Sequence, residues 1–254
     1  MRADKFFSEK FSSRTKAAEA IEKGLVTVNG KKIKPSDDVK ETDEIEFLTP
    51  DEYYVSNGGY KLGKALREFS CSVKGLVFAD IGASTGGFTD CLLQNGAKKV
   101  YCVDVGESLL DPSLAGREEI VQMQNTNARF LTAADFPDPL DGLVIDVSFI
   151  SLKLILPVAE KILKEGGIAF ALIKPQFECE NKNIGKSGIV KRQAHAKIIS
   201  SIYDFALSCG LSPLNIVNAP VREKKNIEYV VMLLKAKGKG IPKQEILRRA
   251  GEIH

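Results

Sequence analysis

Val77-Phe78-Ala79-Asp80-Ile81-Gly82-Ala83-Ser84-Thr85-Gly86-Gly87-Phe88-Thr89-Asp90 is the stretch from which the fold can be read. An apolar run carries an acid near its end, glycines follow, and an amphipathic segment begins. The pattern predicts a buried strand, a tight loop and a helix start. The first N–H groups of a helix lack intrahelical partners, so the polar end of a ligand is favoured there. Glycines let such a ligand approach the backbone closely. Downstream the theme repeats. Val100-Tyr101-Cys102-Val103-Asp104 and Leu140-Asp141-Gly142-Leu143-Val144-Ile145-Asp146 both end in acids, 120–123 reads as a short strand, and 168–173 runs into Lys174-Pro175. Strands over 214–218 and 229–234 follow. With helices over 152–164 and 194–208 between them, the strands predict a mostly parallel sheet covered by helices on both faces.

A chain of 254 residues accommodates one large α/β domain plus a small module. Its 44% hydrophobic and 27% charged residues suit a sizeable globular core. A net charge of +3 carries no global argument for nucleic acid, so local distribution must. Cys71, Cys91, Cys102, Cys179 and Cys209 are odd in number and form no C-x-x-C pair. They read as reduced thiols, with no metal site and no disulfide framework. Met1-Arg2-Ala3-Asp4-Lys5 lacks an apolar signal core, and no apolar run reaches the roughly 18 residues of a membrane helix. The expectation is a soluble cytoplasmic monomer that does not engage membranes.

The leading segment is a unit of its own. Phe6, Phe7 and Phe11 are apolar anchors, and Ser12 or Ser13 can cap a helix over 14–23. Leu25-Val26-Thr27-Val28-Asn29-Gly30-Lys31-Lys32-Ile33 places β-branched residues around Asn-Gly, a strong hairpin signal. A further strand ends at Ile45 and Phe47. Residues 1–34 hold nine basic side chains and four acids, whereas 35–48 hold one basic side chain and six acids. A module with a basic leading half can present a phosphate-binding face.

Three ligands compete for the Gly loop. A dinucleotide needs G-x-G-x-x-G, but Ser84 occupies the middle position. Gly82-Ala83-Ser84-Thr85-Gly86 satisfies the G-x-S-x-G of a hydrolase elbow, which needs a late histidine. Only His195, inside an expected helix, and His254 exist. S-adenosylmethionine fits better: Asp80 and Asp104 suit its ammonium and ribose hydroxyls, and the turn suits close backbone approach. Asp146-Val147-Ser148-Phe149 stands where amino-group methyltransferases carry Asn/Asp-Pro-Pro-aromatic, but the prolines are missing and no Cys follows Asp146. A hydroxyl remains as acceptor. It needs a base, and a lysine serves only if burial or a neighbouring cation lowers its pKa.

Several words of the sequence are longer than a motif. The order Arg2-Ala3-Asp4, Ser13-Arg14-Thr15-Lys16-Ala17, Val26-Thr27-Val28-Asn29-Gly30, Asp43-Glu44-Ile45 resembles the small RNA-binding module of S-four type. Lys61, Asp146, Lys174 and Glu228 resemble the Lys–Asp–Lys–Glu tetrad of FtsJ-type ribose 2′-O-methyltransferases. Tyr54-Val55-Ser56-x-Gly58-Gly59-x-Lys61-Leu62, the Gly loop, Asp146-Val147-Ser148-Phe149-Ile150-Ser151-Leu152 and Lys174-Pro175-Gln176-Phe177-Glu178 are similar to the TlyA / haemolysin A family. The sequence departs from that family at Asn57, where Arg is usual, and at Glu107, where Tyr is usual.

The resemblance implies a Rossmann-like S-adenosylmethionine-dependent methyltransferase fold, a mostly parallel seven-stranded sheet, with a small N-terminal α+β RNA-binding domain. Its boundaries would be 1–48 for the module, 49–57 for a linker, 58–240 for the methyltransferase domain and 241–254 for a basic tail. It implies 2′-O-methylation of cytidine ribose in ribosomal RNA (16S, 23S or both), acting on ribosomal subunits. Lys174 would be the base, Asp146 would orient it, Lys61 would hold the ribose or phosphate and depress the pKa of Lys174, and Glu228 would position Lys61 or the substrate. The cofactor would be held by Asp80, Gly82, Ala83, Ser84, Thr85, Gly86, Gly87, Phe88, Asp104, Asn127, Ala128 and Asp146. RNA would meet Arg2, Lys5, Arg14, Lys16, Lys31 and Lys32, together with Lys186 and Arg192 in a mobile basic loop over 178–192. Two rival readings are a membrane-active haemolysin, after the family's older name, and a non-catalytic RNA-binding protein that retains the cofactor fold. No long apolar helix and no run of barrel strands favours the first, and the intact tetrad opposes the second.

Overall fold

The computed structural model describes residues 1–11, 13–22, 25–47, 54–107, 110–185, 187–220 and 225–252, in two units, Met1–Tyr53 and Tyr54–His254. In the first unit, α1 (Ala3–Phe6) and α2 (Arg14–Glu22) precede β1 (Val26–Val28), β2 (Lys31–Lys32) and β3 (Ile45–Phe47). The Ser13 hydroxyl accepts from the Lys16 N–H at 3.1 Å, so Ser13 serves the start of α2. Ser12 lies outside the described residues. Asn29 and Gly30 take the left-handed conformation at φ +52° and +71°, which turns β1 into β2 as the Asn-Gly pair requires. The strand order is β2-β1-β3, antiparallel. Ala3, Phe7, Ala17, Ile21, Val26, Val28 and Val39 form its core, flanked by Phe6 and Phe11.

In the second unit, α3 (Asn57–Glu68), β4 (Val77–Ile81), α4 (Gly87–Gln94), β5 (Lys99–Val103), β6 (Ile120–Met123), β7 (Leu140–Ile145), α5 (Leu156–Ile162), β8 (Leu163–Ile173), α6 (Pro175–Glu178), α7 (His195–Ser208), β9 (Leu211–Asn218), β10 (Tyr229–Lys235) and α8 (Lys243–Arg249) follow in order. The seven-stranded sheet runs β6-β5-β4-β7-β8-β10-β9, with β10 antiparallel to both neighbours. Alternate residues of each strand face opposite cores, as a doubly covered sheet demands. Val77, Ala79 and Ile81 of β4 pack with α5, α7 and α8, whereas Phe78 packs with α3 and α4. Gly142 makes room for that ring, because a Cβ there would lie 2.2 Å from Phe78 Cε1.

Two expectations need correction. The helix expected over 152–164 is a 3-10 turn, Leu152–Leu154, followed by α5, and Leu163 already belongs to β8. The basic tail after 240 instead forms α8, whose Ile246 is buried with Ala250 in the main core. Its cations are engaged: Arg248 and Arg249 bind Glu245, holding that carboxyl down at about 2, and Lys243 pairs with Asp204. Described residues of the loop over 178–192 make specific contacts. Ile184 bridges Val190, and Asn226 fastens the turn by accepting from Val190 N and donating to Gly188 O. Among the described residues no helix is long and apolar enough to cross a membrane.

Candidate active site

β4 is flanked by β5 on one side and β7 on the other, so the chain reverses its direction of travel across the sheet there. Ligands of open α/β sheets collect at the carboxyl ends of strands beside such a reversal. Register puts Ile81 opposite both Val103 and Ile145, which brings Gly82, Asp104 and Asp146 to one edge. A Cβ at Gly82 (φ +83°) would sit 3.0 Å from the Asp146 carbonyl oxygen, and one at Gly87 would sit 2.1 Å from Ser56 Oγ. The loop therefore passes too close to β7 and to α3 for side chains at these positions.

Asp80 is fully buried. Its Oδ2 accepts from Thr89 N at 3.0 Å and from Thr89 Oγ1 at 2.7 Å, while Oδ1 has no partner. Burial pushes the carboxyl up to about 7. Asp104 steadies the loop by accepting from Ser84 N at 2.8 Å and from Gly106 N at 2.9 Å. Each carboxylate oxygen keeps a second lone pair for a hydroxyl. Asn127 Oδ1 accepts from Arg129 N and caps the 3-10 turn Ala128–Phe130.

Two cavities meet here. A polar one of about 160 Å³ is lined by Asp80, Gly82, Ala83, Ser84, Thr85, Gly87 and Phe88, and also by Ser56, Gly58, Asp146, Ser148 and Lys174. A larger one of about 510 Å³ adds Asp104, Thr126, Asn127, Ala128, Arg129 and Phe149, and shares Gly82, Ser84, Asp146 and Ser148 with the first. Of the cofactor residues expected from sequence, Gly86 alone lines neither; its Cα faces Leu114 and Leu110.

Lys174 leaves β8 buried, 8% exposed. Its Nζ lies 2.6 Å from Asp146 Oδ1 and donates to Ser148 Oγ at 2.7 Å. Lys61 is the fifth residue of α3, one position past its first turn. Its ammonium pairs with Glu228 Oε2 at 2.6 Å, and Gln176 Nε2 donates to Glu228 Oε1 at 3.2 Å. Tyr229 faces Ile173 across the β8–β10 ladder, which sets Glu228 beside the end of β8. The four residues thus form two ion pairs, linked in sequence by the two-residue step from Lys174 to Gln176.

Sequence reasoning missed Ser148, Thr89, Gln176 and Phe149, although all lie inside quoted words. Phe149 is 86% exposed, takes φ +64°, and packs against Phe177 at 5.1 Å. A bulky residue held left-handed marks a constrained site. Among the basic residues, Arg2 and Arg14 both bind Asp4 at 3.0 Å, and Asp4 is held down to about 2, chiefly by Arg2. Lys5, Lys31 and Lys32 are exposed. Arg192 is committed inward: it pairs with Glu252 and donates to Gly251 O and Tyr229 Oη. Lys186 lies outside the described residues.

The FtsJ-like methyltransferase model matches residues 54–235, and the S4 domain model matches residues 1–45. The chain belongs to the FtsJ-like methyltransferase family. This methyltransferase is 40% identical over 236 residues to hemolysin A of Brachyspira hyodysenteriae, covering 91% of this chain and 98% of that one. It is 36% identical over 225 residues to the 16S/23S rRNA (cytidine-2′-O)-methyltransferase TlyA of Mycobacterium tuberculosis, covering 87% and 84%. An S-adenosylmethionine-dependent methyltransferase from Mesorhizobium loti shares the fold at TM-score 0.52 and 15% identity, over 70% of this chain and all of the other. The cofactor of the FtsJ-like methyltransferase is S-adenosylmethionine, and the residues fit it. The unpartnered Asp80 Oδ1 at the polar cavity suits a cationic amino group, and the larger cavity beside Asp104 and Asn127 suits a nucleoside.

Proposed function

We propose that this protein methylates the ribose 2′-hydroxyl of a cytidine in ribosomal RNA, of the 16S, the 23S or both, with Lys174 as the base. The observation that carries the reading is a buried lysine between Asp146 and Ser148 on the wall of the cavity beside the Gly loop. The names of the TlyA relatives support the substrate. Bound S-adenosylmethionine supplies an electrophilic methyl group. Asp80, the 82–88 loop, Asp104, Asn127, Ala128 and Asp146 hold it, and Asp146, shared by both cavities, also orients Lys174. Lys174 Nζ takes the proton of the 2′-hydroxyl as that oxygen attacks. Lys61, fixed by Glu228, holds the ribose or its phosphate. Positioning of the hydroxyl supplies much of the rate. Phe149 offers an exposed ring face on which a base unstacked from RNA can rest. Arg2, Lys5, Arg14, Lys16, Lys31 and Lys32 supply phosphate contacts, joined by Lys186 and the exposed part of Arg192.

The test is incubation with methyl-labelled cofactor and separated ribosomal subunits. Label should enter RNA and block alkaline cleavage beside a cytidine, because a methylated 2′-oxygen cannot attack the neighbouring phosphate. No label in RNA from either subunit, with lysis of lipid vesicles, would favour the haemolysin reading. No label with retained RNA affinity would leave a non-catalytic binding protein.

A further inference from the structure

We propose that the cleft lined by Lys182, Asn183 and Lys191 on one side and by α7 on the other is a phosphate slot for the RNA strand that carries the target nucleotide. The inference rests on the RNA substrate proposed above. The cleft, about 320 Å³, is lined by Lys182, Lys191 and Lys197 together with Glu178 and Glu180. All three lysines are exposed. The acids do not cancel them. Glu178 turns its carboxylate away from the opening, accepting from Ser151 Oγ at 2.6 Å and from Leu152 N at 2.7 Å. Glu180 is taken up by Lys182 at 2.5 Å. Lys191 Nζ donates to the Lys182 carbonyl, and among the described residues neither Lys191 nor Lys197 has a carboxylate at ion-pair distance. Lys191, and Lys197 with only the Lys182-paired Glu180 within electrostatic reach, face a cavity of a size that admits a phosphate and its sugar.

The slot is tied to the reacting residues at both ends. α6 carries the chain from Lys174 to Glu178 in one helical turn, about 6 Å of rise. Asn226, two residues before Glu228, bonds the turn at Gly188 and Val190. Glu178 also anchors the stretch after Asp146 through Ser151 and Leu152. In the proposal, the phosphate bound here belongs to the strand whose target nucleotide lies over Lys174. Lys191 and Lys197 both lie outside the tetrad; Lys191 belongs to the basic loop read from sequence, whereas Lys197 on α7 is not singled out there.

The experiment compares the full chain with Lys191→Ala/Lys197→Ala and with Lys197→Arg. Equilibrium binding to the ribosomal subunit is measured over a range of salt, and methyl transfer and cofactor affinity are measured separately. The double variant should bind about tenfold more weakly and flatten the slope of log affinity against log salt by about 0.7 per lost contact. Its affinity for cofactor should stay unchanged, and Lys197→Arg should bind like the parent. Equal affinity and slope in parent and double variant would overturn the slot. Weaker binding with an unchanged slope would also overturn it, since the lost partner would not be a phosphate. A parent that binds the subunit without transferring methyl would sink the proposed reaction and leave the slot to be judged on the binding ratio.

Discussion

Lys174 and Lys61 each sit 2.6 Å from a carboxylate, yet their surroundings differ. Lys174 and Asp146 stand at the ends of parallel neighbours β8 and β7, and Lys174 lines the polar cavity. Lys61 joins a helix to the start of the antiparallel strand β10 and lines neither of the two cavities beside the Gly loop. Beyond its acid, Lys174 touches a hydroxyl, whereas the acid of Lys61 is itself held by an amide. An ion pair alone does not mark the reacting lysine. What separates the two is access to the cavity beside the Gly loop, and this is why we propose the chemistry for Lys174 and the positioning for Lys61.

Replacing Lys174 should show the largest effect. Lys174→Ala should lower methyl transfer by about a thousandfold or more, within the usual range for a lost general base, while cofactor affinity stays within about threefold. Lys174→Arg should be equally inactive, because a guanidinium cannot give up its proton. Single-turnover transfer and calorimetric cofactor titration check both. Loss of binding with normal residual turnover would reverse the assignment.

Breaking the second pair should cost less. Lys61→Ala and Glu228→Gln should each lower kcat/KM by about 10- to 100-fold, with part of the loss in KM for RNA. Steady-state kinetics on one subunit measures the split. If Lys61→Ala matched Lys174→Ala in magnitude and left KM alone, the division between the two lysines would fail.

The sequence offered this division only through the family resemblance, and it left the partner of Glu228 open between Lys61 and the substrate. Periodicity and acid-ended strands located β4, β5 and β7, and the ligands at their ends followed from sheet geometry. Local signals cannot say that Glu228 takes Lys61 and not Lys174, because β10 enters antiparallel and its register fixes the partner. Thr89 and Ser148 escaped for a similar reason: a hydroxyl becomes functional by what faces it, here Asp80 and Lys174. The acids that absorb Arg248, Arg249 and Arg192 lie close in sequence or across the fold, so a count of basic residues overstated the free charge.

The acid of the first region can be titrated. Asp80 is raised to about 7 by burial, whereas an exposed aspartate ionises near 3.8. The native state thus binds the proton more tightly than the unfolded state, so stability falls as pH rises from about 4 to about 7. A cationic ligand group at Oδ1 favours the ionised form, so cofactor affinity should rise with pH up to about 7, by at most about tenfold per pH unit, and level off above it. Asp80→Asn should remove both slopes. Thermal melts and cofactor titrations from pH 5 to 8 test this, and an unchanged affinity slope in the Asn variant would exclude Asp80 as the responsive group.

The smallest effect should come from Gln176, whose amide reaches Glu228 at 3.2 Å and whose Oε1 is buried without a partner. It acts through Glu228 on Lys61, so its contribution exists only while that pair is intact. Gln176→Leu keeps most of the volume and removes both amide atoms. It should lower kcat/KM by about three- to fivefold in the parent and have no further effect in a Lys61→Ala background, a coupling that a double-mutant cycle reads directly. A residue with only a packing role would cost the same in both backgrounds. The same substitution should leave the pH dependence of cofactor binding unchanged, since Asp80 belongs to the other pair's cavity. If Gln176→Leu instead altered that dependence, the two lysine regions would form one coupled network and not two separable ones.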